Sequence, residues 1–237
     1  MELGADLSEL VDLLEQAYGR GSDHDHRPSL SGEPETPVGT LIVTILSQAS
    51  TDARTARIYQ QLTETYPRWD RLVDADPAEV EEILRPGGLA RQKRSYVQGA
   101  LRQLHADMGD YCLDRLRDWT DEACYEYLMG LPGVGLKTAA CVLLFGFGRD
   151  VFPVDTHVAR ICRRLGLVEP SASPERIHHD LQGIVPPGRA LDLHLNLLEH
   201  GRTVCSASRP GCASCPVVHL CSGRMLEDDS SVGFGFG

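Results

Sequence analysis

Apolar residues recur along most of the chain at the three- and four-residue spacings of an amphipathic α-helix. In residues 7–18, for example, the leucines and the valine fall on one face of a helix. No segment alternates apolar and polar residues in the way that is typical of a β-strand. The pattern therefore predicts an all-α protein, with helices over residues 7–18, 39–46, 52–65, 77–84, 90–104, 120–129, 136–147, 156–165, 174–184 and 189–201.

Composition and charge narrow the class of protein. The chain has 237 residues, 42% of them hydrophobic, which is enough for a sizeable core in one or two domains. No apolar run approaches the ~20 residues of a membrane helix, and residues 1–6 do not resemble a signal peptide, so we expect a cytoplasmic protein. The net charge of −11 argues against indiscriminate nucleic-acid binding. The net charge does not exclude a local basic face, since cationic residues cluster at Arg85, Arg91, Lys93, Arg94 and Arg102.

The most informative stretch is the glycine turn between the helices predicted over residues 120–129 and 136–147. Pro132 lacks an amide donor, and Gly133 and Gly135 permit positive φ, so the first helix ends there and a hairpin follows. Exposed backbone amides in such a hairpin, beside a helix N-terminus, can bind an anion. The stretch therefore predicts a helix–hairpin–helix element that can hold a phosphate.

Lys137 lies in the first turn of the second of these helices, and Lys93 is the only other lysine of the chain. The helix dipole and apolar neighbours both favour the neutral amine there, which is the form that acts as a nucleophile. A solvated lysine that contacts phosphate is an equally good interpretation of the spacing. Asp155 follows 18 residues later, directly before a predicted helix, where it can be an N-cap, a catalytic carboxylate or both.

Together these residues carry a resemblance to a known family. LPGVGLKTA at 131–139, followed at this spacing by VDTHV at 154–158, resembles the helix–hairpin–helix motif and catalytic aspartate of the endonuclease III family of DNA glycosylases. The resemblance covers residues 37–221. It implies that Lys137 attacks the sugar C1′ to form a Schiff base and that Asp155 assists. It also implies DNA contacts, through Gly133, Val134, Gly135 and His157.

The resemblance implies that two further segments reach into DNA. Near Asp52 the family places a polar side chain that fills the space left by an extruded base. Counted back from Asp52, that position falls on Ala49, so either Gln48 substitutes or the filling is weaker. Leu89 follows a glycine turn beside basic residues, which suits an apolar wedge between bases. Packing of Leu89 onto the core is equally compatible with the sequence alone, and the resemblance favours the wedge.

Four of the eight cysteines crowd into one short stretch. Cys205, Cys212, Cys215 and Cys221 are separated by six, two and five residues, so they can wrap one tetrahedral metal ion or one cubane cluster. A single C-x-x-C pair fits a zinc ribbon less well, and disulfides remain an alternative. The spacing resembles the C-terminal [4Fe–4S] loop of the same family. That loop touches the DNA backbone in the family, which here implies a contact through Arg209.

The resemblance predicts two helical domains with a DNA-binding cleft between them. Residues 37–149 would form a six-helix domain with the hairpin, and residues 1–36 and 150–225 the cluster domain, while residues 226–237 are expected to be disordered. We expect a monomeric DNA glycosylase with AP lyase activity that excises oxidised or damaged pyrimidines from double-stranded DNA of a bacterial nucleoid. A mismatch-specific glycosylase of the same superfamily, which generally lacks the lysine, and a non-catalytic DNA-binding protein are the alternatives.

Overall fold

The computed structural model of the chain describes residues 3–20 and 36–222. All regular elements within these ranges are helical, so the all-α prediction is confirmed. The tail expected to be disordered, at residues 226–237, lies outside the described residues. No helix in the described ranges is long and apolar enough to cross a membrane.

The helices fall into two compact units. In chain order they are α1 (Leu3–Tyr18), α2 (Pro37–Ser47), α3 (Asp52–Thr65), α4 (Trp69–Val73), α5 (Pro77–Leu84), α6 (Ala90–Met108), α7 (Asp121–Met129), α8 (Leu136–Cys141), α9 (Thr156–Leu165), α10 (Pro174–Gln182) and α11 (Ala190–Thr203). Helices α2–α8, residues 36–149, form what we call the hairpin unit. Helices α1 and α9–α11 form the cysteine-loop unit, residues 3–20 and 150–222.

Helix α2 lies at the centre of the hairpin unit because it has no polar face. All its residues from Pro37 to Leu46 are buried. Its two threonines satisfy their hydroxyls within the helix, since Thr44 Oγ1 donates to the carbonyl of Thr40 at 2.7 Å and Thr40 Oγ1 donates to that of Thr36 at 3.3 Å. Helices α3, α6 and α8 pack around it. Burial therefore fixes both ends of α2, including the end that leads into residues 48–51.

The predicted helix starts are confirmed where a capping residue marks them. Helix α5 begins after Asp76, whose carboxylate accepts from the amides of Ala78 and Glu79. Helix α7 begins after Thr120, whose hydroxyl accepts from the amide of Ala123. Such side chains satisfy backbone amides that have no partner in the first turn of a helix, so local sequence is enough to place these starts.

The helix predicted over residues 136–147 differs from the expectation in its second half. Helix α8 keeps α-helical bonding only to Cys141, and the five residues Val142–Gly146 continue it as a π-helix. At the end of this π segment a Cβ on Gly146 would lie 3.1 Å from Pro37 Cα and 3.3 Å from Thr40 Cβ. The glycine thus lets the π segment approach the N-terminal end of α2 closely.

Several members of the cationic cluster at residues 85–102 are bound within the hairpin unit. Lys93 is only 1% exposed, and its ammonium donates to the carbonyl of Gly87 at 2.8 Å. Burial lowers the pKa of this lysine below its usual value. Three arginines of the cluster also bind acceptors within the unit, in the pairs Arg85–Glu82, Arg94–Glu81 and Arg102–Val73 carbonyl. Arg94 and Arg102 thereby connect α6 to α5 and α4, whereas the Arg85–Glu82 pair is exposed.

Candidate active site

The hairpin between α7 and α8 is a tight turn closed by its own backbone. The amide of Leu131 donates to Leu128 O at 3.1 Å, and that of Val134 donates to Leu131 O at 3.2 Å. Gly133 adopts φ +77, a left-handed conformation that favours glycine. Gly135 departs from the expectation, because its φ of −100 is open to any residue. It is the N-cap residue of α8.

Of the hairpin residues predicted to contact DNA, Val134 has a structural role. Its side chain is 7% exposed and its amide is already donated within the turn, so it anchors the hairpin to the core. Gly135 is exposed, and a Cβ added to it would meet no atom within 4 Å. The open space beside Gly135 is wide enough for a ligand to approach the backbone closely.

Lys137 follows as the second residue of α8 and its side chain is exposed. That the helix dipole and apolar neighbours favour the neutral amine stays a prediction. The next residue, Thr138, is 5% exposed and is the first of a buried run that continues to Cys141. Helix α8 is thus anchored by its buried residues while it presents Lys137 to solvent in its first turn. Because Lys93 is buried, Lys137 is the one lysine of the chain with an accessible amine.

Residues 48–51, which connect α2 to α3, lie beside the hairpin. Gln48 Nε2 donates to the carbonyl of Gly133 at 3.0 Å. This bond commits the Gln48 amide to the hairpin, which argues against the interpretation that Gln48 fills the space of an extruded base. Ala49 is exposed and adopts φ +51. The residue at the exposed tip of this connection is therefore the alanine.

Leu89 is exposed in the turn that precedes α6. It is 53% exposed, so packing onto the core, the alternative interpretation of the sequence, is wrong. Its φ is +54, and within the described ranges Ala49 is the only other non-glycine residue with positive φ. A left-handed conformation costs such residues about 1–2 kcal/mol. Strain of this kind persists where the surrounding structure imposes it, and it concentrates at functional sites.

In the cysteine-loop unit, Asp155 caps α9. Its Oδ1 accepts from the amide of Val158 at 2.8 Å, which confirms the N-cap interpretation and leaves Oδ2 outside the cap. His157 lies two residues later, with Nδ1 3.1 Å from Arg160 Nη2. Because a guanidinium only donates hydrogen bonds, Nδ1 must be the acceptor and the ring proton is assigned to Nε2.

The four clustered cysteines line one cavity of the same unit, together with apolar side chains that include Ile161, Leu165 and Val217. Burial, and then the charges of the three neighbouring cysteines, raise the pKa of the Cys215 thiol. Arg164 Nη1 lies 3.2 Å from Cys205 Sγ, within range of a hydrogen bond to sulfur.

The spacing of these sulfurs bears on what they can bind. Among the described residues, no three His, Cys, Asp or Glu side chains are close enough together to hold one metal ion. A cubane cluster takes one thiolate on each of its irons, so its four sulfurs stand farther apart than around a single ion. A shared cavity with apolar walls and a cationic donor to sulfur fits such an anionic cluster better than it fits zinc.

Comparison with known proteins places the chain in a family. A family model described as HhH-GPD superfamily base excision DNA repair protein matches residues 42–187. Endonuclease III of Synechocystis sp. is 36% identical over 188 residues, which cover 79% of this chain and 81% of that protein. The chain belongs to the endonuclease III family. Endonuclease III of Thermotoga maritima is 33% identical, over 78% of this chain and 82% of its own length.

The structure of this chain is similar to a solved structure described as a non-covalent Endonuclease III–DNA complex. The match covers 97% of this chain and 100% of the solved chain, with a TM-score of 0.79 and 29% sequence identity. The predicted fold class and family are both confirmed by these matches.

Sequence reasoning missed the residues that support the hairpin in this endonuclease III family member. Tyr96 and Gly99 of α6 both face it: a Cβ on Gly133 would lie 2.4 Å from the Tyr96 ring, and one on Gly99 would lie 3.2 Å from Pro132. A glycine in the middle of a long helix signals a close approach of this kind. Nothing in the local sequence identifies Pro132 as the partner, because the two segments are far apart along the chain.

We expect Gly133→Ala to destabilise the protein more than Gly109→Ala. Gly109 also has positive φ, at +82, but a Cβ there would meet nothing within 4 Å. Gly109→Ala should therefore lower the free energy of unfolding by the backbone cost alone, about 1–2 kcal/mol. Gly133→Ala adds the collision with Tyr96 and should cost about 2–4 kcal/mol. Urea unfolding followed by circular dichroism measures both, and equal losses would contradict the proposed packing.

Proposed function

We propose that this chain, a base excision repair DNA glycosylase with AP lyase activity by its family, removes oxidised or damaged pyrimidines from duplex DNA and cuts the strand at the abasic site. We infer that it acts as a monomer in the cytoplasm. The observation that best supports the lyase step is the position of Lys137. It is the one accessible lysine of the chain, and it lies in the first turn of the helix that follows the hairpin.

The first step is extrusion of the target base from the duplex. Unstacking and unpairing cost a few kcal/mol, and damaged bases that pair poorly reduce this cost. Leu89 is proposed as the apolar wedge, because it is exposed and its backbone is held in a left-handed conformation. Ala49 stands where a polar filler is expected, and its methyl group cannot hydrogen-bond the base left opposite the gap. Stabilisation of the extruded state therefore depends mainly on Leu89.

Backbone contacts would fix the DNA in register. The hairpin amides of Gly133 and Gly135 are proposed to hold one phosphate, supported by the open approach to Gly135. In the cysteine-loop unit, the Nε2 proton assigned to His157 and the exposed guanidinium of Arg209 are proposed to donate to further phosphates. Such few contacts agree with a net charge of −11, which weakens binding to undamaged DNA.

The chemistry follows from a neutral amine at Lys137. Its lone pair attacks C1′ of the sugar, the N-glycosidic bond breaks, and the departing base takes a proton. Opening of the sugar ring leaves a Schiff base between Lys137 and C1′. That iminium acidifies the C2′ protons, so loss of one proton expels the 3′ phosphate by β-elimination, and water then releases the amine. Asp155 is proposed to stabilise the positive charge that develops on the sugar or to take the proton of the attacking ammonium.

The cavity of the cysteine loop is proposed to hold a [4Fe–4S] cluster through Cys205, Cys212, Cys215 and Cys221. The cluster would close the loop covalently, and no step of base removal passes through it. Its effect is to order the segment that carries Arg209. The donor from Arg164 to Cys205 Sγ would compensate part of the cluster's negative charge.

The two alternative functions are not favoured by the family match. A mismatch-specific glycosylase does not need a lysine at position 137. A DNA-binding protein without activity does not need both Lys137 and Asp155, since the hairpin alone can hold a phosphate. Relatives that are endonuclease III enzymes at 33–36% identity instead favour the bifunctional reaction.

Lys137→Gln should abolish covalent trapping while DNA binding largely survives. The parent protein, incubated with abasic duplex and borohydride, should give a protein–DNA adduct because the reagent reduces a Schiff base. Mass spectrometry of the trapped peptide should place the DNA on Lys137, since the amine of Lys93 is buried. Fluorescence anisotropy measures the retained binding. An adduct that persists in Lys137→Gln, or one that maps to another amine, would show that the nucleophile is misassigned.

Asp155→Asn should slow base removal by roughly 100-fold or more, the scale of a lost acid–base group. Asparagine caps helices as well as aspartate does, so the stability of α9 should be preserved. Ser173→Ala is the matched control, because Ser173 caps α10 in the same unit. That variant should lose about 1 kcal/mol of stability and little activity. Single-turnover excision and thermal unfolding, measured on both variants, separate the catalytic from the capping role. Equal rates in Asp155→Asn and the parent would refute the assignment.

The purified protein should contain about four iron atoms per chain and absorb broadly near roughly 400 nm, where thiolate-to-iron charge transfer falls. Cys212→Ser should lose iron and absorbance. Cys112→Ser, at a cysteine of the other unit that donates to Asp114 Oδ2 at 2.8 Å, should keep both. Inductively coupled plasma mass spectrometry measures the number of iron and zinc atoms per chain in each protein. A colourless protein with one zinc per chain would rule out the cluster.

A further inference from the structure

Two exposed segments of the hairpin unit lie against one another. We call residues 85–89, which end in Leu89, the wedge turn, and residues 48–51 the α2–α3 loop. A Cβ on Gly87 would lie 2.6 Å from Ile58 Cδ1 and 3.7 Å from Ser50 Oγ. The absence of a side chain at Gly87 thus lets the wedge turn rest directly on α3 and on the α2–α3 loop.

The ammonium of Lys93 lies at this junction. The same hypothetical Cβ on Gly87 would be 3.4 Å from Lys93 Nζ, which donates to the Gly87 carbonyl at 2.8 Å. The main chain of Lys93 adds a second bond, from its amide to the carbonyl of Leu89 at 2.9 Å. One residue therefore binds the carbonyls on both sides of Gly88 and fixes the turn that displays Leu89.

A lysine is an unusual choice for this position. Lysines are almost never fully buried without a paired charge, because an ammonium loses its hydration there, and Lys93 is 1% exposed. Its acceptor is a backbone carbonyl, not a carboxylate. Lys93 offsets the free energy of desolvating its ammonium by a directional hydrogen bond to the backbone of the turn, which an apolar side chain cannot make. The left-handed conformation of Leu89 needs such support.

We propose that Lys93 is a positioning residue for base extrusion: its buried ammonium holds the wedge turn against the α2–α3 loop, so that Leu89 enters the duplex in register with Ala49. This inference rests on the proposed function, in which those two residues enter the DNA. Lys93 takes no part in the bond-breaking steps. Loss of the Lys93 ammonium should slow excision of a damaged base, because that base must first be unstacked. It should leave the rate of strand cleavage at an abasic site nearly unchanged, because no base has to be extruded there.

Lys93→Met tests the proposal, because methionine keeps an unbranched buried chain and removes the donor. Excision of a damaged pyrimidine should fall about 10- to 100-fold, the range expected when a positioning contact is lost. Cleavage of an abasic duplex should change less than about threefold. The ratio of the two single-turnover rates is the readout. Leu89→Ala is the reference for this selective loss, since it removes the wedge itself.

Gln98→Met is the matched control on the same helix. Gln98 is also 1% exposed and donates from Nε2 to the carbonyls of Leu72 at 3.0 Å and Ala75 at 3.2 Å. The variant thus removes a buried side-chain bond to a backbone turn that is not the wedge turn. It should lower the melting temperature about as much as Lys93→Met does and leave the ratio of excision to cleavage unchanged.

Gly87→Ala tests the junction while the ammonium stays in place. The added methyl would lie 2.6 Å from Ile58 Cδ1 and 3.4 Å from Lys93 Nζ, so the side chains at this junction must rearrange to admit it. It should reproduce the selective loss of excision. Hydrogen exchange of the free proteins gives a readout that does not depend on activity. Amides of residues 85–89 and 48–51 should exchange faster in Lys93→Met and Gly87→Ala, but not in Gln98→Met.

The outcomes separate this inference from the function on which it rests. Equal losses on damaged and abasic substrates in Lys93→Met, or a selective loss in Gln98→Met, would overturn the role of Lys93 while the enzyme reaction stands. Unchanged hydrogen exchange at the wedge turn would overturn it as well. A parent protein that cleaves neither substrate would overturn the proposed function, and the positioning role of Lys93 in base extrusion would fall with it.

Discussion

A helix without a polar face must be surrounded on every side, and α2 imposes this requirement on the hairpin unit. The helices that cover it include α8, whose π-helical continuation brings Gly146 against the first turn of α2. At its other end, α2 leads into the α2–α3 loop, in which Ala49 is exposed. Helix α8, which carries Lys137, and the α2–α3 loop, which carries Ala49, are thus both supported by α2, so the distance between Lys137 and Ala49 does not depend on a flexible loop.

Polar side chains then connect the segments that α2 brings together. Gln48 ties the α2–α3 loop to the carbonyl of Gly133, and Lys93 ties the wedge turn to α6. In both cases the acceptor is a backbone carbonyl in a turn with a left-handed residue, Gly133 or Leu89. Directional bonds to such carbonyls oppose relaxation of the turn. Gln48 and Lys93 thus support two turns whose backbone conformation is otherwise costly.

Much of this architecture could be predicted from the sequence because it depends on neighbouring residues. Caps such as Asp76 and Thr120, and the glycine turn at Gly133, follow from local chemistry, and periodicity gave the helices between them. Features that depend on packing were missed. Burial of Lys93 and the bond from Gln48 to the hairpin, 85 residues away, are set by tertiary structure. The π-helical segment Val142–Gly146 was likewise missed, because an apolar run of this kind does not distinguish α- from π-helical bonding, whereas its close packing on α2 is set by tertiary structure.

The near absence of lysine has a chemical consequence. Only two of the 23 lysine and arginine side chains are lysines, and one of those is buried. An abasic site is an aldehyde in equilibrium with its ring form, and any accessible primary amine condenses with it. Guanidinium groups stay protonated and do not. A surface charged through arginine is therefore inert toward the product that this enzyme generates. Among the side chains of this protein, Lys137 alone therefore offers an accessible primary amine to such an aldehyde, and the arginine side chains do not cross-link to it.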